Sequence, residues 1–152
     1  MLERLKQLLA EESPTAPEDG PELARIATCV LMLEVARIDE EFSDDERSRI
    51  LEILQERYSL SAEDARELLE ESERMRDKSV DVWQFTHQIN KACSQAEKLE
   101  IVEEVWRVVV ADGGIHGHES HFMRQLSRLL NLSREEVIDA KVKILEEARN
   151  SD

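Results

Sequence analysis

The sequence predicts a single all-helical domain, and two observations support this prediction. Glycine (4) and proline (3) are scarce and only 4% of the residues are aromatic, whereas Ala, Leu, Glu, Arg and Lys, which favour helices over strands, dominate. Apolar residues also recur at helical spacing, as Val102, Val105, Trp106 and Val109 do. A chain of 152 residues can bury roughly two-thirds of its unfolded surface in one core. We therefore expect one helical bundle without strands.

The first twenty residues are predicted to form a separate unit. Leu2, Leu5, Leu8 and Leu9 share one face of a short amphipathic helix, and the stretch SPTAPEDGPE, which holds all three prolines, interrupts that pattern. We predict an N-terminal helix and linker over 1–20 and a helical domain over 21–150. The leucine stripe has three candidate contacts: the domain itself, a second copy in a homodimer, or another protein.

Start signals divide the domain into helices. A serine followed three residues later by an acid can form a capping box, in which the hydroxyl accepts from a free backbone amide and the acid accepts from the serine's own amide. This pattern occurs four times, at Ser43 with Glu46, Ser61 with Asp64, Ser94 with Glu97 and Ser133 with Glu136. Together with Pro21 and Gly117 as further start signals, it predicts seven helices, over 21–38, 43–58, 61–76, 80–93, 95–111, 117–130 and 133–148.

The two halves of the domain resemble each other. The stretches LEVARIDEEFSDDERSRILEIL and WRVVVADGGIHGHESHFMRQLS align with Asp39 on Asp112 and Glu46 on Glu119. Each half reads as a long helix, a tight corner, a second helix and a Leu-Ser pair that starts a third helix. We predict a bundle of about seven helices in which a pseudo-two-fold axis relates the two halves.

The two corners carry a family resemblance. VARIDEEFSDDE and VVADGGIHGHESHFMRQLSRLLNLS resemble the two corners of TerB-like domains, where an Ala-Asp-Gly-x-Ile-x-x-x-Glu pattern joins two helices. The second corner matches that pattern in order at Ala111, Asp112, Gly113, Ile115 and Glu119, and the resemblance covers residues 23 to 145. TerB-like domains are all-helical and are named after tellurite-resistance proteins. The resemblance implies a non-enzymatic interaction module of a tellurite and stress-resistance system, with partners among membrane-associated and calcium-binding stress proteins.

The resemblance also implies that the acidic corners are candidate metal sites. The residues carried over are Asp39, Glu41 and Glu46 in the first corner and Asp112 and Glu119 in the second. The sequence departs from the family pattern where Glu40 replaces a glycine, where Gly114 stands in place of an acid, and where histidine takes a position often held by aspartate. A purely structural interpretation stays open, in which each aspartate accepts backbone amides of the turn and each glutamate reaches back from the next helix.

Calcium in an EF-hand loop does not fit either corner. Such a loop needs a glutamate at its twelfth position, but that position is Ile50 counted from Asp39 and Met123 counted from Asp112. A calcium site would therefore need another design.

Three histidines give a second candidate metal site. His118 and His121 lie one helical turn apart, and His116 precedes them, so the three imidazoles are candidate ligands for zinc, nickel or copper. The alternative function is therefore a metal-binding protein or a metal-dependent enzyme that uses these histidines with Asp112. The spacing of HGHESH is also that of binuclear metallo-hydrolases, but here a serine replaces the usual aspartate in a helical context. We predict no catalytic residue and no organic cofactor.

Charge and composition exclude several other classes. The 35 acids against 20 bases give a formal net charge of −15, which disfavours a nucleic-acid partner. No apolar run approaches the ~20 residues of a membrane span, and the N-terminus lacks a signal-peptide pattern. We expect a cytoplasmic protein in which Cys29 and Cys93 are reduced thiols in the core and in which Trp83 and Trp106 also lie in the core.

Overall fold

The computed structural model describes residues 20–38, 43–111 and 117–150, and every regular element within these ranges is a helix. Numbered in chain order, the helices are α1 (Gly20–Ala36), α2 (Asp44–Tyr58), α3 (Ala62–Asp77), α4 (Trp83–Ala92), α5 (Gln95–Ala111), α6 (Gly117–Leu129) and α7 (Arg134–Asn150). The predicted all-helical class and all seven predicted helices are confirmed.

The largest difference from the prediction is at the start of α4. The helix begins at Trp83 rather than at residue 80, because residues before it form a turn. The Asp81 side chain accepts a hydrogen bond from the backbone amide of Trp83 at 2.9 Å, and such a local bond competes with the helical one.

Helix α1 lies at the centre of the core. Its sequence is apolar on nearly all sides, and of its described side chains from Leu23 onwards only Arg25 and Glu34 are not buried. Because a helix that is apolar all round must be surrounded, α1 packs against α2, α3, α4 and α5. The core therefore forms around one helix rather than between two layers.

Helix α5 extends this core into the second half of the chain. It packs against α1, α2 and α7, and the indole nitrogen of Trp106 donates to the backbone oxygen of Val137 at 3.1 Å. Trp106 is only 3% exposed, which confirms its predicted place in the core. Helix α6 contacts α4 and α7.

The capping signals explain why the helix starts were predictable. The boxes at Ser43, Ser94 and Ser133 are closed in both directions, with distances between 2.8 and 3.2 Å. At Ser61 only one half forms, the hydroxyl accepting from the Asp64 amide at 3.0 Å, since an aspartate is one methylene shorter than a glutamate.

The ends of α2 and α6 have the same local structure. Ser59 and Asn131 both adopt a left-handed conformation, with φ of 53° and 56°. In the next position, Leu60 donates to Gln55 at 3.1 Å and Leu132 donates to Ser127 at 2.8 Å, the long backbone bond of a Schellman cap. The two Leu-Ser copies therefore have the same local backbone structure, while the pseudo-two-fold relation of the two halves stays a prediction.

Both cysteines are free. Burial raises the pKa of the Cys29 thiol to about 12, and partial burial also raises the pKa of Cys93. Cys29 lies in the core as predicted, whereas Cys93 is only half-buried at the end of α4.

Some predictions concern other parts of the chain. The N-terminal amphipathic helix, its leucine stripe and the linker over 1–20 fall almost wholly outside the described residues, which begin at residue 20. None of the described helices is long and apolar enough to cross a bilayer.

The closed capping boxes predict a specific loss of stability in acid. The backbone amides of Ser94 and Ser133 lower the pKa values of Glu97 and Glu136 below the ordinary value of 4.5. A carboxylate with a depressed folded pKa stabilises the native state above its unfolded pKa, and that contribution is lost as the pH falls through the folded pKa.

We therefore expect the stability difference between wild type and Glu97→Ala/Glu136→Ala to be constant above about pH 5.5 and to shrink towards pH 3. Urea unfolding at several pH values measures this difference. A difference that does not change between pH 6 and pH 3 would contradict the role of the ionised carboxylates.

Candidate functional site

The structure describes the residues on both sides of the first corner. Residues 39–42 lie outside the described residues, so Asp39 and Glu41 remain predictions. Glu46 is described: its carboxylate accepts from the Ser43 amide at 3.1 Å and from the Ser43 hydroxyl at 3.0 Å. The structural interpretation of Glu46 as a capping residue is therefore confirmed, and its carboxylate is already engaged by two donors.

An ion-pair network holds the flanks of this corner on α3. The guanidinium of Arg47 makes two contacts of 3.1 Å with the carboxylate of Glu73, and that bond raises the pKa of Arg47. Arg37, just after α1, lies 3.4 Å from the same carboxylate and 3.6 Å from Asp77. The end of α1 and the start of α2 thus share one acid, which fixes the distance that the corner has to span.

The second corner separates its predicted residues into different surroundings. Asp112 and His116 lie outside the described residues, and His118 is described only as part of helix α6. Glu119 is 2% exposed, while His121 lies on the solvent side of the same helix. Burial of Glu119 fits a structural role at the start of α6, whereas His121 is accessible to an ion in solution.

No group of three or more His, Cys, Asp or Glu side chains in the described ranges has an arrangement that could hold a metal ion. Four of the eight candidate ligands, Asp39, Glu41, Asp112 and His116, lie outside those ranges. The predicted metal sites therefore remain proposals, which are supported by the sequence pattern of the two corners.

The prediction that Trp83 lies in the core is wrong. Its side chain is 56% exposed and its indole stacks on the imidazole of His87, with ring centroids 4.7 Å apart and an angle of 11° between the planes. The buried face of α4 carries Phe85, Thr86 and Ile89 instead. Trp83 and His87 form one i, i+4 pair and Phe85 and Ile89 another, so helical periodicity could have indicated that the two pairs face different ways.

Trp83 borders a groove between α4 and α6. The groove has a volume of about 520 Å³ and is lined by Asp81, Val82, Trp83, Gln125, Arg128 and Leu129. Val80, which precedes the lining residue Asp81, is 96% exposed. We call Val80, Trp83, His87 and this groove the Trp83 surface.

Two side-chain hydrogen bonds anchor the end of α6, which forms one wall of the groove. The side-chain amide of Asn90 on α4 donates to the backbone oxygen of Leu129 at 2.8 Å. The ammonium of Lys98 on α5 donates to the backbone oxygen of Leu130 at 3.1 Å. These donors satisfy carbonyls at the end of α6, so the surface lies on a rigid part of the bundle.

A family model described as "Tellurite resistance protein TerB" matches residues 25–142, which is most of the chain. The chain belongs to the TerB family. The match covers both corners and runs from α1 into α7, so the resemblance inferred from the corner residues is confirmed. The comparison with curated proteins and the comparison with solved structures give no match.

The exposure of Trp83 predicts two distinct fluorescence signals from this TerB family member. We expect Trp83→Phe, which leaves only the buried Trp106, to emit at shorter wavelength and to resist quenching by acrylamide. Trp106→Phe should emit at longer wavelength and be quenched readily. Stern–Volmer titrations of both variants measure this contrast, and equal quenching of the two would show that Trp83 is covered in solution.

Proposed function

We propose that this TerB family member is a non-enzymatic interaction module of a tellurite and stress-resistance system. In this proposal it acts in the cytoplasm by binding a protein partner, and no covalent bond is made or broken. The observation that supports the proposal most directly is the Trp83 surface, where a large aromatic side chain is exposed beside a groove.

The composition of this surface supports a role in binding. Tryptophan and arginine are enriched among the residues that dominate binding energy, and here Trp83 and Arg128 border the same groove. The stack on His87 holds the indole in one orientation. A side chain that is already ordered loses less conformational entropy when a partner binds.

Charge favours a particular kind of partner. A net charge of −15 attracts basic proteins over long distances and repels acidic ones. Complementary charge raises the association rate more than it raises the affinity, so we propose that apolar contact at the Trp83 surface provides the affinity. The partner is then a basic protein with an apolar side chain to place in the groove, and it belongs to a membrane-associated stress complex.

Removing the indole should disrupt the complex without unfolding the protein. We expect Trp83→Ala to lower partner affinity at least tenfold, since hot-spot residues contribute about 2 kcal/mol or more. Val80→Ala should cause a smaller loss, and its matched control is Val142→Ala, which shortens an equally small apolar residue that is 46% exposed on α7.

The measurements are capture of partners with each tagged variant and survival of complemented cells in tellurite. Wild type and Val142→Ala should retain the same partner and the same survival. Undiminished capture by Trp83→Ala, with melting temperatures matched, would refute binding through this surface.

A metal-responsive form of this function is supported by the exposed position of His121. Helix α6 places His118 and His121 three residues apart near its start, a spacing at which two side chains share a helix face. We propose that these histidines, with His116, bind zinc or nickel, while the acidic corners Asp39 and Asp112 offer an alternative site for calcium. The rival from another class is a metal-dependent enzyme that uses the same histidines.

Calorimetric titration of the metal-free protein separates these proposals. We expect zinc or nickel to bind with a dissociation constant below about 100 μM, or about 5.5 kcal/mol. This binding should be lost in His118→Ala/His121→Ala and kept in Asp39→Asn/Asp112→Asn. Loss in the aspartate variant alone would assign the ion to the acidic corners, and absence of binding by zinc, nickel and calcium would exclude a metal-responsive function. The enzyme alternative further requires turnover that disappears with the histidines.

A further inference from the structure

A second cavity lies on the other side of α6, between α5, α6 and α7. Its volume is about 160 Å³, close to that of a cavity that can hold benzene. Trp106, Met123 and Val137, all buried, contribute apolar surface to it, and its charged lining residues are Arg124, Arg134 and Lys141. We call it the Trp106 cavity.

The charge of this lining is opposite to that of the protein. Although acids outnumber bases by 35 to 20, the described residues of the lining include three cations and no acid. Some cations elsewhere, such as Arg47 and Arg107, lie against carboxylates, while others, such as Arg66, form no ion pair with any described residue. Neither Arg124 nor Arg134 forms an ion pair with any residue in the described ranges.

The third cation is held by an aromatic ring. The ammonium of Lys141 lies 5.7 Å from the centre of the Trp106 ring, within the range of a cation–π contact. The indole itself is fixed, since its nitrogen donates to Val137. The cavity thus combines an ordered aromatic wall with positive charge that no described carboxylate neutralises.

We propose that the Trp106 cavity binds a small organic acid. An apolar body about the size of a benzene ring contacts Trp106 and Met123, and the carboxylate of the ligand faces Arg124, Arg134 and Lys141. Arginine recognises carboxylates through paired hydrogen bonds, and apolar pockets with a few placed polar groups are typical of small-molecule sites. This site is separate from the Trp83 surface and does not depend on the proposed protein partner.

Benzoate has the required size and charge and is the first probe. We expect a titration of the full-length protein, followed by two-dimensional ¹H–¹⁵N NMR, to shift the indole N–H of Trp106 and the amides around Met123 and Val137. The shifts should saturate with a dissociation constant below about 10 mM. Benzyl alcohol, which keeps the ring without the charge, and sulfate, which keeps charge without the ring, should each bind at least tenfold more weakly.

Substitution of the two arginines that line the cavity tests the role of charge. Arg124→Ala and Arg134→Ala should each weaken benzoate binding at least fivefold, and the double variant more than tenfold, with no change in the affinity for benzyl alcohol. Arg66→Ala is the matched control, because Arg66 is an exposed arginine on α3 that does not line the cavity, and it should bind benzoate as wild type does.

Four results would each overturn the proposal. Equal affinity for benzoate and benzyl alcohol would show that the cations do not select the ligand, and equal affinity for sulfate would show that the apolar wall does not. Chemical-shift changes that do not saturate with benzoate would also reject the site. So would a loss of benzoate affinity in Arg66→Ala as large as that in Arg134→Ala. Melting temperatures of the variants establish that each one is folded.

Discussion

The burial of α1 is the constraint on which the rest of the structure depends. A helix with so little polar surface cannot remain in water, and α2, α3, α4 and α5 each cover part of it. Helix α1 ends at Ala36, and the chain turns at residue 37. The carboxylate of Glu73 contacts Arg37 before the turn and Arg47 after it, and so links its two sides.

The sequence predicted the features that short-range interactions determine. Capping boxes involve residues three apart, and the Schellman caps after α2 and α6 involve residues five apart, so both can be recognised without knowing the fold. The exposure of Trp83 could not be predicted in the same way. It depends on which face of α4 meets α1, and that face is determined by tertiary contacts. The sequence also made both Glu119, in the acidic corner, and His121, in the histidine cluster, candidate ligands, although α6 buries the first and exposes the second.

Helix α6 emerges as the element with the most varied surroundings. Its first turn follows the family's second corner, one side contributes Gln125 and Arg128 to the Trp83 surface, and another contributes Met123 and Arg124 to the Trp106 cavity. Its contacts with α4 and α7 are few compared with those that surround α1. A ligand bound in the Trp106 cavity and a partner bound at the Trp83 surface would therefore both contact α6. Fixed bonds from Asn90 and Lys98 hold only its C-terminal end.

The state of Cys29 has a consequence for a protein of this family. Thiols react with oxidants and with soft electrophiles in the thiolate form, and a pKa of about 12 in a fully buried position leaves almost no thiolate at neutral pH. The sulfur atom at the centre of the bundle is chemically silent under conditions that would modify an exposed cysteine. The fold thus shields this thiol, and of the two free cysteines the half-buried Cys93 is the one that an oxidant in solution can reach more readily.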